Sequence, residues 1–111
     1  MQLDITRNDE GPVLTLVGRG EIDYATLDLL QKELTEAAQG DAETVVVDLQ
    51  DVTYIDSMGL GILVGAHKRL KAADRALVLR VANPEMIKLL ALTGLDQLFA
   101  IEKPYDGSGQ V

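Results

Sequence analysis

The sequence predicts one α/β domain built on a mostly parallel central sheet, with an antiparallel strand at its edge and helices packed against it. Three observations carry that expectation. Strand-like and helix-like runs alternate along most of the 111 residues, as they do when crossover helices connect parallel strands. Thr44 to Leu49 is β-branched and almost continuously apolar, the pattern of a central strand covered on both faces. The first two strand-like runs are separated only by the turn cluster Asn8-Asp9-Glu10-Gly11-Pro12, which makes them a hairpin.

Leu3 to Arg7 alternates apolar and polar, as a half-exposed strand does, and Val13 to Val17 forms its partner. Gly18-Arg19-Gly20 breaks the hairpin, Glu21-Ile22 continues extended, and Asp23 is the expected cap of a first helix. That helix places Leu27, Leu30, Leu34 and Ala37 or Ala38 on one face, with Lys32 and Glu33 outward and Gly40 as its stop. After the central strand, Ser57 is expected to cap a second helix, whose buried stripe is Leu60, Leu63, Val64 and Leu70 and which reaches Ala73. Lys68, Arg69 and Lys71 suit its C-terminal dipole. Ala76 to Ala82 reads as a strand, and Asn83-Pro84 as the start of a third helix with Ile87, Leu90 and Ala91 inward and Gly94 as its stop. Leu95, Leu98 and Phe99 form a closing turn before a short strand at Ile101. The domain is expected to span 1–111, with a core over about 3–103 and a flexible tail over 106–111.

Composition removes several function classes. With no cysteine, there is no disulfide, thiolate nucleophile or cysteine-bound zinc. A net charge of −8 repels phosphate backbones and anionic lipid, so neither direct nucleic-acid nor membrane binding is expected. Asp4, Asp9 and Glu10 interrupt any N-terminal signal pattern, and no apolar run approaches the ~20 residues that span a bilayer. The expected compartment is the cytoplasm.

The chemistry concentrates in Asp56-Ser57-Met58-Gly59-Leu60-Gly61, where the chain leaves the sheet and begins a helix. A serine there can serve as a cap alone, or can carry a phosphate that the helix N-terminus tolerates. Enzyme readings lack parts. Gly59, Gly61 and Gly65 fall one residue off the dinucleotide fingerprint; nine residues separate Leu49 from the first of them, and Val81-Ala82-Asn83 lacks the ribose-binding acid. Ser57 lies in no G-x-S-x-G, and the only histidine, His67, is ten residues along the same helix, about 15 Å away. One histidine makes no metal site, and Asp23, Asp48, Asp51 and Asp56 show no ligand spacing, with Asp48 expected near an exposed strand end. Neither a metal nor a cofactor is expected.

Four stretches in order resemble the small STAS-domain family of bacterial anti-sigma-factor antagonists: Gly20-Glu21-Ile22-Asp23, Val45-Val46-Val47-Asp48-Leu49, Val52 through Gly61, and Leu92-Thr93-Gly94-Leu95-Asp96-Gln97-Leu98-Phe99. The likeness runs from about Leu3 to Lys103. It implies a STAS-like fold and a non-catalytic protein that binds an anti-sigma factor which is also an ATP-dependent serine kinase, so releasing a sigma factor. It further implies that the kinase phosphorylates Ser57, that phosphorylation breaks the complex, and that a phosphatase acting on phospho-Ser57 restores it. On the same resemblance Asp23, Asp56, Met58, Gly59, Leu60 and Gly61 form the partner-binding surface. Met58 stands where the family usually has Ser, Thr or Ala, and the sequence ends soon after Pro104-Tyr105, where many members continue into a final helix.

Two other functions fit the same residues. One is a STAS-type accessory or sensor subunit of another cytoplasmic assembly, a transporter or stress-sensing complex, without a phospho-switch. The other is a small-ligand or nucleotide sensor using a pocket at the sheet's edge. Ser57 beside Asp56 favours the antagonist.

Overall fold

The structure, a computed structural model, describes residues 2–103; Met1, 104–111 and with them the expected tail lie outside the described residues. The chain runs β1 (Leu3–Glu10), β2 (Val13–Ile22), α1 (Leu27–Gln39), β3 (Thr44–Ile55), α2 (Ser57–Ala72), β4 (Ala76–Arg80), α3 (Pro84–Leu92), a 3₁₀ turn (Leu95–Gln97) and β5 (Ala100–Glu102). The strands lie in the order β1-β2-β3-β4-β5. β1 and β2 are antiparallel, and every later neighbour pair is parallel, as expected.

Four strand boundaries differ from the sequence reading. β1 runs on from Arg7 to Glu10, because Asn8, Asp9 and Glu10 pair with β2 down to Val13. β3 continues six residues past Leu49, because β2 offers it a partner all the way to the Ile22–Ile55 pair. β2 in turn passes through Gly18-Arg19-Gly20 without ending, and absorbs them as register shifts on either side of Arg19-Gly20. Gly20 has φ +117°, and a Cβ there would stand 2.2 Å from the Gln2 carbonyl oxygen, which accepts from the Glu21 N–H instead. Only glycine permits that close crossing of β1. β4 stops at Arg80, two residues early, since its partner β5 is only three residues long.

The main core lies between the sheet and the helices. Leu14 and Leu16 of β2, Val45, Val47 and Leu49 of β3, and Leu77 and Leu79 of β4 share one cluster with Leu30, Leu34 and Ala37 of α1 and Leu60, Leu63, Ala66 and Leu70 of α2. Each such leucine contributes about 1.5–3 kcal/mol by leaving water. Val46 is buried but lies outside that cluster, so the full coverage expected of both faces of β3 is uneven. α3 turns slightly from its expected face: Met86 and Leu90 are buried, while Ala91 is exposed.

Polar side chains finish the frame. The Arg75 guanidinium donates to the carbonyls of Ala42 (2.7 Å), Ala38 (2.9 Å) and Ala37 (3.0 Å), closing the C-terminal end of α1. Glu33, expected outward, is largely covered beside Arg7 of β1. Asp48 is inside β3, not at an exposed end, because the strand continues to Ile55; Arg80 on the neighbouring strand comes within 3.5 Å of its carboxylate and balances its charge. Arg80 also donates to Glu102 on β5, and that hydrogen bond with the two carboxylates raises its pKa further above the usual arginine value.

Candidate functional site at the carboxyl end of the sheet

Parallel strands deliver their following loops to one edge, and ligands of open α/β sheets gather there. In this chain the loops after β2, β3 and β4 meet at that edge. Ile22 pairs with Ile55, and the Asp56 N–H donates to the Ile22 carbonyl at 3.2 Å. Asp23 and Asp56 therefore leave adjacent strands side by side.

Asp56 is the helix cap, in extended conformation, and its Oδ1 accepts the Gly59 N–H at 3.0 Å. The sequence reading gave that role to Ser57. A carboxylate is the stronger partner for the positive end of the helix, and its use one residue earlier moves Ser57 to the first helical position. Ser57 is exposed, and its hydroxyl makes no hydrogen bond among the described residues. Freed from capping, it presents its oxygen to solvent.

Asp23 likewise does not cap its helix; Thr26 occupies that position. Asp23 Oδ1 accepts from the Ala25 N–H at 3.0 Å, while its own N–H donates to Thr26 Oγ1 at 2.9 Å. The carboxylate closes a turn that carries Tyr24, 81% exposed, at its tip. Asn83 does cap α3, accepting from the Glu85 N–H at 2.9 Å with Pro84 behind it.

The remaining motif residues divide by burial. Met58 is half exposed, and a Cβ added at exposed Gly61 would meet nothing within 4 Å. Leu60, by contrast, belongs to the core, and a Cβ on Gly59 would stand 2.6 Å from Ile22 Cγ2 and 2.9 Å from Ile55 Cγ1. These two support the loop from beneath and offer no side-chain surface to a partner.

The same geometry bears on the enzyme readings. With β3 reaching Ile55, the glycine turn opens close to a strand end, so the long gap after Leu49 no longer separates it from a dinucleotide fingerprint. The missing acid after β4 still does, and Ile22 and Ile55 fill the space against Gly59. His67 stacks edge-on against Phe99 at 5.7 Å, and no three metal-ligating side chains gather among the described residues. No helix is long and apolar enough to cross a membrane among them.

Sequence reasoning missed a cleft beside this loop. Thr53, Tyr54 and Ile55 of β3 face Met86, Leu89 and Leu92 of α3 across about 330 Å³. Its one legible signal was Leu92, apolar at a position off the inner face of α3.

The family model described as the STAS domain matches residues 3–107. The chain belongs to the STAS-domain family. Two relatives of this STAS domain carry the name anti-sigma-B factor antagonist. One, from Bacillus subtilis (strain 168), is 30% identical over 110 residues, covering 99% of this chain and 98% of its own. The other, from Staphylococcus aureus (strain NCTC 8325), is 30% identical over 103 residues, covering 93% and 95% respectively. The crystal structure of an anti-sigma factor antagonist from Mycobacterium paratuberculosis superposes with a TM-score of 0.86 at 25% identity, over 95% of this chain and 89% of that one. The STAS architecture expected from the sequence is thus the architecture found.

Proposed function

We propose that this STAS-domain protein is an anti-sigma factor antagonist of the cytoplasm: a binding protein and kinase substrate, not a catalyst. Its partner is an anti-sigma factor with ATP-dependent serine kinase activity, and Ser57 is the phosphate acceptor. The observation that carries this reading is Ser57 itself, exposed at the first position of α2 with the capping bond made by its neighbour Asp56. Near-complete coverage of two relatives named anti-sigma-B factor antagonist supports it.

The electrostatics supply the switch. A phosphate adds about −1.5 to −2 charges beside Asp56 and next to the strand end that carries Asp23. The unpaired N–H groups of the first turn of α2 stabilise the added charge, so the fold persists. A kinase site already holding ATP phosphates then rejects the modified loop, at a cost of several kcal/mol in close geometry. Asp23, Asp56, Met58 and Gly61 form the contact surface; Gly59 and Leu60 hold it in shape. A phosphatase that removes the phosphate returns the protein to its binding form.

The test is phosphate transfer from ATP by a purified anti-sigma factor kinase of the same organism, with the acceptor mapped by mass spectrometry. Incorporation at Ser57, absent in Ser57→Ala and absent with ATP alone, is the expected result. Phosphate on another residue of the wild type, or transfer without the kinase, contradicts the proposal. Asp23→Asn sharpens it: asparagine can accept the same Ala25 N–H, so the turn stays and only the charge facing the partner is lost.

A further inference from the structure

We infer that the cleft between the end of β3 and α3 is an anchor socket on the same partner surface, taking an apolar side chain of the anti-sigma factor from a segment that also carries basic residues. This rests on the antagonist reading and extends it to a part of the molecule that the Asp56–Gly61 loop does not contain.

Continuity is the first reason. Tyr54 and Ile55 line the cleft and lead directly into Asp56 and Ser57, so a partner seated on the loop is already at the cleft's edge. Apolar exposure is the second. Leu92 is 75% and Tyr54 51% exposed, and they line the same cleft above the buried Met86. Large apolar groups left in water beside a recognition loop mark an interaction surface. An aromatic beside a leucine is also the composition that anchors interfaces.

Shape and charge fix the occupant. Small ligands take pockets that enclose most of their surface, whereas this cleft has its two largest rim residues more than half exposed. It therefore suits one protruding side chain whose backbone stays outside. Glu85 and Lys88 both line the cleft and offset each other, so the acidic field comes from Asp56 and Asp23 at the adjoining strand ends and from the net charge of −8. Basic residues flanking the inserted side chain complement that field and steer the encounter.

The test is isothermal titration of the unphosphorylated protein against the anti-sigma factor kinase that modifies Ser57. Wild type, Leu92→Ser, Tyr54→Ser and Leu98→Ser are compared. Leu98 is also exposed, at 37%, but does not line the cleft, so it controls for general loss of surface apolarity. Leu92→Ser and Tyr54→Ser are expected to weaken binding about tenfold each, and Leu98→Ser less than about twofold. Unfolding temperatures should stay together, since no core contact is removed. Wild-type binding with the same affinity for all four proteins overturns the socket and leaves the antagonist reading intact. Failure of the wild type to bind overturns both. If Leu92→Ser abolishes self-association in sedimentation while the titration is unchanged, a second copy covers the cleft and the inference is wrong.

Discussion

The two ends of the parallel sheet are built differently. At the amino end the connections are closed by internal bonds: Arg75 binds two carbonyls in the last turn of α1 and one just after it, Thr44 N–H donates to the Pro12 carbonyl, and Ala76 N–H donates to the Glu43 carbonyl. At the carboxyl end the loops leave Tyr24, Tyr54 and Met58 exposed, with Ser57 and Gly61 between them in water. One end closes its connections on itself; the other, beside its caps, leaves the Ser57 hydroxyl and several large side chains without a partner among the described residues. If the carboxyl end is the partner surface proposed above, stability and recognition are separated along the strand direction, and substitutions at the two ends should have opposite signatures.

The largest expected effect on stability lies under the recognition loop, not in it. Gly59→Val forces a branched side chain against Ile22 and Ile55 and is expected to cost about 3 kcal/mol, read by urea denaturation. Its binding loss should follow from the displaced loop. Arg75→Met comes next: about 2 kcal/mol from three carbonyls that lose a charged donor. It should leave phosphorylation of Ser57 at the wild-type rate below the unfolding transition. A rate loss matching that of loop variants would end the division between the two ends.

Asp56→Ala removes a cap and is expected to cost about 1 kcal/mol, with a binding defect larger than that cost explains. Gly61→Ala runs the other way. Its Cβ meets open space, so the variant should gain about 0.5–1 kcal/mol of helix stability. If Gly61 serves partner contact, the more stable protein binds the anti-sigma factor less tightly. Unchanged binding would leave Gly61 without a role that the fold or the interface explains.

How much of this was legible in the sequence depends on the range of the cause. Element order and the parallel sheet came from local patterns such as the valine run of β3 and the Asn83-Pro84 start, which tertiary contacts did not override. The second half of β3 was not legible, because Gln50 to Tyr54 is polar or interrupted and is held extended by pairing with β2. The capping roles at the site were shifted by one residue at Ser57 and by three at Asp23. A carboxylate and a hydroxyl both cap helices, so spacing alone cannot choose between neighbours. The cleft needed the third dimension, since Tyr54 and Leu92 are 38 positions apart in sequence and meet only across the fold.

The shift at Ser57 changes what its removal should do. As a cap, serine would have supplied about 0.5–2 kcal/mol; at the first helical position, exposed and unbonded, Ser57→Ala should alter stability by less than about 0.5 kcal/mol. That small thermal effect against a complete loss of phosphate incorporation is the cleanest contrast in the molecule.

The most direct measurement of the central claim is a calorimetric titration of the anti-sigma factor kinase, with a non-hydrolysable ATP analogue bound, by unmodified protein and by protein phosphorylated at Ser57. Tight binding of the first, loss of about a hundredfold or more for the second, and near-equal unfolding temperatures for both are expected. Equal affinity of the two forms would contradict an electrostatic switch at Ser57.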